Sequence, residues 1–278
     1  GKFCPIDQGH DEPAWEKNRR VEFKVVTSDG KPTGAQLGCD EARQHGIAAL
    51  AIRNSHHFAA LWPDVEPFAD AGLVAIAFVN SRSRIVPAGG NAKLFGTNPM
   101  AFACPRRDGP PMIWDQASSV MAHGEILLAA KEGHSVPEGI GVDAAGKATT
   151  DPKAILEGGA LLPFAGHKGS TIALMVEIMA SALTGGRFGF EDTSSAFPGA
   201  QTTNAGEFVI VIDPRQTAGS RFYERIEELF SRLLQSGETR LPAERRYRAR
   251  RLAEAQGIAI ATESFEELVK LRESQRPP

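Results

Sequence analysis

Five short stretches of this chain carry side chains that could do chemistry. The first is Arg53-Asn54-Ser55-His56-His57-Phe58, directly after the apolar run at 47–52. Imidazole titrates near pH 6.5, so a histidine at a strand end can move a proton at neutral pH. The alternative is a pair of hydrogen-bonded loop histidines. The second stretch is Asn80-Ser81 with Gly96-Thr97-Asn98-Pro99 beyond it. A threonine hydroxyl and nearby amides can hold a carboxylate, whereas the bland reading is an Asx-type turn before Pro99. The third is Asp115-Gln116-Ala117-Ser118-Ser119, with His123-Gly124-Glu125 on the next turns. A carboxylate near an imidazole fixes its tautomer, but Asp and Ser also serve as helix N-caps.

The fourth stretch, Gly166-His167-Lys168-Gly169, opens the strongest helical pattern of the chain. Amides and the helix dipole there favour an anion, although the glycine spacing is not that of a P-loop. The fifth is the cluster Arg240, Arg245, Arg246, Arg248, Arg250 and Arg251. Guanidinium groups bind phosphate bidentately, which suits a phosphomonoester such as the 2′-phosphate of NADP; the alternative is a solvated helical face. One further string, Gly139-Ile140-Gly141-Val142-Asp143-Ala144, fits GxGxxA. No strand precedes it and no helix follows it, so it fails as a dinucleotide fingerprint and no Rossmann fold is expected.

The elements that must position these residues follow from the apolar pattern. Strands are expected at 47–52, 73–79, 112–115 and 208–212, and helices at 41–45, 64–71, 120–132, 169–183, 222–234 and 264–271. Residues 81–109 read as a loop-rich middle and 137–159 as a polar, Gly-rich surface excursion. Short apolar runs separated by helical patterns favour an α/β domain. The strand at 47–52 is expected to be buried and parallel, with its polar end facing a ligand crevice.

Composition narrows the function classes. A length of 278 residues with 42% hydrophobic and 23% charged residues suits a globular core. The net charge of −3 argues against a nucleic-acid partner. No run reaches the roughly 18–20 apolar residues of a membrane span, so no membrane partner is expected. The start Gly-Lys-Phe-Cys-Pro lacks the apolar block of a signal peptide, and the expected location is cytoplasmic. Cys4, Cys39 and Cys104 make no disulfide scaffold, and without CxxC or HExxH no metal is expected.

Taken together, these stretches resemble the malate/L-lactate dehydrogenase family of non-Rossmann NAD(P)H oxidoreductases. The strings that carry the resemblance begin with Ile52-Arg53-Asn54-Ser55-His56-His57-Phe58-Ala59-Ala60-Leu61, Phe78-Val79-Asn80-Ser81 and Phe95-Gly96-Thr97-Asn98-Pro99-Met100-Ala101-Phe102. Asp115-Gln116-Ala117-Ser118-Ser119, Gly159-Ala160-Leu161-Leu162-Pro163-Phe164, Gly166-His167-Lys168-Gly169 and Arg240-Leu241-Pro242 follow in the same order. The nearest branch is the Δ1-piperideine-2-carboxylate/Δ1-pyrroline-2-carboxylate reductases, on His56 through Trp62 and Asp115-Gln116.

The resemblance implies an α/β, non-Rossmann NADP(H)-binding domain with a largely antiparallel sheet flanked by helices. It implies NADPH-dependent reduction of the two cyclic imines to L-pipecolate and L-proline. The alternatives are a malate- or lactate-type 2-hydroxyacid dehydrogenase acting on a 2-oxoacid, and an impaired chain with only cofactor or cell-wall binding. His57, Phe58, Ala59, Ala60 and Leu61, with Ser81 and with Asp115, Gln116 and Ala117, would contact the cofactor. His167, Lys168 and the segment Arg240, Leu241, Pro242, Ala243, Glu244, Arg245 and Arg246 would hold its phosphates. Thr97, His123 and Gly124 would face the substrate; His57 is the candidate proton-transfer group and Glu125 a relay carboxylate. NADPH is expected over NADH, and a homodimer is implied.

Residues 1–40 differ in texture, and Asn18-Arg19-Arg20-Val21-Glu22-Phe23 resembles the C-terminal end of an OmpA-like cell-wall-binding domain. The division read from sequence is therefore 1–40 and 41–278, the second part without the upstream helical Ser-His-Gly region of the family.

Overall fold

One interior strand carries a long apolar run and is covered on both sides. Residues Ala205–Ile212 form it, and none of their side chains is exposed. A run such as Phe208-Val209-Ile210-Val211-Ile212 suits a strand packed on both faces. In this computed structural model, which describes residues 39–55, 59–196 and 204–274, that strand lies inside a five-stranded antiparallel sheet. In chain order the sheet contains β1 (Ile47–Ser55), β2 (Val74–Val79), β3 (Met100–Cys104) and β4 (Met112–Gln116). A second sheet contains β5 (Gly141–Val142), β6 (Ala148–Thr149) and β7 (Ala160–Leu161), and β8 (Ala205–Ile212) returns to the first. The spatial order is β1-β8-β2-β3-β4 in the large sheet and β6-β5-β7 in the small one.

The helices are α1 (Cys39–His45), α2 (Trp62–Asp70), α3 (His123–Glu132), α4 (Pro152–Leu156), α5 (His167–Glu177), α6 (Arg221–Gln235), α7 (Glu244–Gln256) and α8 (Thr262–Ser274). Val65, Phe68 and Ala69 of α2 pack with Ala75, Ala77, Val79, Ala101, Ala103, Ile113, Val209 and Val211 of the large sheet. Ala243 and Tyr247 of the α7 start join the same core. Ile85, Phe95, Ile126, Val136, Ile140, Ile155, Leu161 and Ala173 build a second core around the small sheet. Cys104, Phe230 and Leu241 form a third beneath α6.

Several expectations from sequence need correction. The 47–52 strand is not a buried parallel strand: β1 is an antiparallel edge strand running to Ser55. Only Leu50 and Ile52 are buried along it, while Ala49, Ala51 and Arg53 are exposed. The loop-rich reading of 81–109 hid β3, which pairs with both β2 and β4. The excursion at 137–159 holds β5, β6 and α4 and encloses part of the second core. The helix expected over 120–132 begins at His123. The helix expected over 169–183 is α5 to Glu177, then a π-helical turn at Ile178–Ala182. Residues 1–38, with the OmpA-like stretch, lie outside the described residues, as do His56, His57 and Phe58. Among the described residues no helix is long and apolar enough to cross a membrane.

The π-helical turn packs directly on β8. A Cβ on Gly206 would fall 1.7 Å from the Ala180 carbonyl oxygen, so backbone meets backbone there. No rotamer can relieve that overlap. Gly206→Ala should therefore cost about 3 kcal/mol in denaturant unfolding. A variant as stable as the parent would show that β8 and the π-helical turn do not approach this closely.

Candidate functional site

Glu177 closes α5 with its carboxylate only 4% exposed. Its Oε1 accepts from Gly189 N at 2.6 Å, Asn80 Nδ2 at 3.3 Å and Ser181 Oγ at 3.4 Å. Its Oε2 accepts from Asn98 Nδ2 at 2.6 Å. Each amide is used again. Asn80 Oδ1 accepts from Gly206 N, and Asn98 Oδ1 accepts from Ser81 N. Ser81 Oγ then accepts from Thr97 N, while Ser118 N and Oγ donate to Thr97 O and Asn98 O. This buried lattice puts Ser81, Thr97 and the 115–119 segment side by side, so it joins the second and third of the stretches read from sequence. Asn98, at φ 38°, spends its side chain on Ser81, Ala173 and Glu177 and not on a local Asx turn.

The fourth stretch joins through backbone bonds. Phe164 N donates to Ser118 O, and Val120 N to Leu162 O. The chain then turns through Ala165 and Gly166, both with positive φ, into α5. Gly169 is required because a Cβ there would lie 2.2 Å from Phe164 O. The amides of Lys168 and Gly169 are already spent on Ala165 O and Phe164 O. What this helix start offers an anion is therefore the exposed side chains of His167 and Lys168.

Asp115, at the end of β4, reaches the start of α2. Its Oδ2 accepts from Leu61 N at 2.7 Å and Trp62 N at 2.9 Å, so it caps a helix that lacks a side-chain cap of its own. Arg246 stacks over the Trp62 ring at 4.5 Å, and Arg250 lies over the same ring at 5.3 Å while pairing with Glu66 at 2.8 Å. The fifth stretch thereby reaches the third. Burial pulls the Arg246 pKa down, against the pull of the Asp115 charge, and its Nη1 is buried without a partner. Arg240 and Arg245 are exposed and Pro242 and Glu244 are half-buried, whereas Leu241 and Ala243 are core residues with buried side chains. Ala59, Ala60 and Gln116 are exposed, Leu61 is buried and Ala117 half-buried.

His123 is half-buried at the start of α3, with Gly124 and Glu125 exposed beside it. Glu125 Oε2 accepts from Ala122 N at 3.2 Å, so it caps its own helix. Burial, then the charges of Arg84 and Arg82, push the His123 pKa down to about 4. It is a neutral imidazole at physiological pH. Arg84 was not singled out from sequence; neither were Glu177 and Glu207. The available signal was a charge inside an apolar run, as in Ile172 to Leu183 around Glu177.

Glu207 is 3% exposed on β8, opposite Ile52 and Val79, and its Oε1 has no partner. Burial, reinforced by Asp64, raises its pKa well above the carboxylate range. Asp64, in the first turn of α2, is itself raised to about 6 by burial and by Asp115.

A model of the malate/L-lactate dehydrogenase family matches residues 31–269. The chain belongs to that family. It is 55% identical over 231 residues to the Δ1-pyrroline-2-carboxylate/Δ1-piperideine-2-carboxylate reductase of Pseudomonas putida, covering 83% of this chain and 68% of that protein. The reductase of the same description from Pseudomonas syringae pv. tomato is 54% identical over 232 residues, covering 84% and 68%. The crystal structure of the Δ1-piperideine-2-carboxylate reductase from Pseudomonas syringae pv. tomato superposes with a TM-score of 0.81 at 54% identity, over 84% of this chain and 70% of that one. The family resemblance and the largely antiparallel α/β architecture it implied are borne out. The OmpA-like likeness of residues 1–40 finds no support, and the family match already begins at residue 31.

The folded protein keeps a proton on Glu207 that the unfolded chain releases above its ordinary pKa of 4.5. Stability from this group is therefore present at low pH and lost as pH rises. His123 acts in the opposite sense, losing stability as pH falls from 6.5 toward about 4. Comparing Glu207→Gln with the parent isolates the carboxyl group. The variant should gain on the parent as pH rises above about 4.5, by about 1 kcal/mol per pH unit for as long as the folded carboxyl group keeps its proton. Parallel stability curves would show that Glu207 is ionised in the folded protein.

Proposed function

We propose that this chain is an NADP(H)-dependent oxidoreductase that reduces Δ1-piperideine-2-carboxylate and Δ1-pyrroline-2-carboxylate to L-pipecolate and L-proline. The observation that carries the reading is the 55% identity over 231 residues to a reductase of both imines. That stretch matches most of the chain, and the physical contacts described above link four of its five chemistry-bearing segments. The finer assignments rest on residue chemistry. Arg246 Nη1 is a buried donor in want of an acceptor, beside a corner lined by Trp62 and Asp115. An anionic dinucleotide fits that need, and NADPH carries one phosphate more than NADH for Arg245 and Arg246 to hold.

The bound nicotinamide supplies a hydride for the imine carbon. The chain's own residues do the rest. His167 and Lys168 would take the pyrophosphate as exposed cations ahead of α5, and Arg245 with Arg246 the 2′-phosphate. Leu61, Asp115, Gln116 and Ala117 would form the wall behind the cofactor, and Ser81 fixes Thr97 toward the substrate. Neutral His123 can donate or accept a hydrogen bond to substrate without carrying charge. His57, which lies outside the described residues, is the candidate proton donor to the imine nitrogen, with Glu125 as relay. Proton delivery to nitrogen makes the carbon a better hydride acceptor.

A homodimer belongs to this reading. It is supported by apolar side chains left exposed on two C-terminal helices: Leu229, Leu233 and Leu234 on α6, and Phe265, Leu268 and Leu271 on α8. Exposed apolar patches of that kind mark protein contacts.

Steady-state reduction of both imines, pyruvate and oxaloacetate tests the assignment. The imines should give the higher kcat/KM; faster turnover of either oxoacid would overturn the substrate class in favour of a 2-hydroxyacid dehydrogenase. Replacing Arg245 and Arg246 together by alanine should weaken NADPH about 100-fold and NADH by no more than about threefold. Equal losses, read by cofactor fluorescence titration, would count against the phosphate role.

A further inference from the structure

Arg246 and Arg250 are one helical turn apart on α7, so they lie on one face of that helix. On α2, Trp62 and Glu66 are spaced in the same way. The two rows meet. The Arg246 guanidinium lies 4.5 Å from the centre of the Trp62 ring, and that of Arg250 lies 5.3 Å from the same centre. Arg250 Nη2 also donates to both oxygens of Glu66, at 2.8 and 3.1 Å. Two guanidinium groups therefore share one indole, and they differ in what else they hold. Arg250 has a carboxylate, whereas Arg246 Nη1 is buried without a partner.

The carboxylates whose charges act on Arg246 are those of Asp115 and Glu66, and both are committed elsewhere. Asp115 Oδ2 holds the amides of Leu61 and Trp62. Glu66 is taken by Arg250, and its side chain is only 13% exposed, against 41% for the arginine. A carboxylate so far from water needs a cation beside it. The alternative cation is Arg246, one turn earlier on α7 and over the ring one turn before Glu66 on α2. Two guanidinium groups thus compete for one carboxylate. Arg250 has it, which leaves Arg246 with a donor to spare.

We infer that Arg250 is a positioning residue for coenzyme selectivity: by occupying Glu66 it keeps Arg246 available to the additional phosphate of NADPH. This rests on the cofactor reading above, in which Arg245 and Arg246 hold that phosphate, and it adds a residue that acts through another. Without Arg250, Glu66 turns to Arg246, and an incoming phosphate has to displace a carboxylate and meets its repulsion. Without Glu66 as well, the competitor is gone. A purely structural contact would behave differently, because two losses from one packed corner do not repair each other.

Titrating full-chain variants with NADPH and with NADH, each followed by its fluorescence, tests this. Arg250→Ala should weaken NADPH about tenfold and leave NADH within about twofold of the parent. Adding Glu66→Gln to Arg250→Ala should bring NADPH back to within about threefold of the parent. Arg250→Lys, which keeps a cation for Glu66, should stay near the parent. The pair adds little to folding because its arginine is partly in water, and NADH affinity reports whether the corner is intact. An Arg250→Ala protein with the parent ratio of NADPH to NADH affinity would overturn the inference. So would a double variant as impaired toward NADPH as Arg250→Ala alone. A parent that binds NADPH no more tightly than NADH would refute the phosphate reading and this inference with it. The loss and its repair in a protein that reduces neither imine would refute the substrate assignment and still support the role of Arg250.

Discussion

Glu177 accepts hydrogen bonds from Asn80, Asn98, Ser181 and Gly189 in a position almost without water. A carboxyl group in such a place costs several kcal/mol unless donors replace its hydration. Here the donors come from the end of β2, the Gly-Thr-Asn-Pro turn, the π-helical turn and the segment after it. Satisfying one carboxyl group thus pins chain stretches that are up to about a hundred residues apart in sequence, as the 97-residue span from Asn80 to Glu177 illustrates. Because Ser81, Thr97 and Ser118 hang from the same amides, the presentation of Thr97 is set by burial and not by its own local turn.

A second arrangement of charge governs the opposite side. Asp115 takes two amides at the start of α2, while Asp64 and Glu207 crowd the same helix start from within. Two of these three acids are biased toward their protonated forms, and Asp115, which holds the two amides, is the one whose charge acts on Arg246. Arg246 lies over the ring of Trp62, the residue whose amide Asp115 holds. The geometry couples the cap of α2 to the position of the α7 arginines. Around His123 the bias reverses: burial, then the charges of Arg84 and Arg82, hold the ring neutral. The two flanks are therefore electrostatically different.

Much of this was legible from residue order. The apolar runs of β1 and β8, the Gly-His-Lys-Gly helix start and the Arg-rich segment were all readable, because each has a strong local pattern. The family strings could be read for the same reason. What escaped was set by distant packing. β3 reads Met-Ala-Phe-Ala-Cys between turn residues and becomes a strand only because β2 and β4 flank it. The two-residue strands of the small sheet have no periodicity to detect, and their partners decide them. The parallel reading of β1 failed because a strand's apolar content says how much of it is covered and not the direction of its neighbour. Glu207 and Arg84 look like ordinary surface charges in sequence; only burial marks them out.

Following deuterium offers the most direct measurement. When the full chain is mixed with NADPH deuterated at the reactive C4 position and Δ1-pyrroline-2-carboxylate, the account predicts L-proline carrying deuterium at Cα, seen by NMR. L-Proline without the label, or label delivered to a 2-oxoacid while the imine is left unreduced, would contradict it.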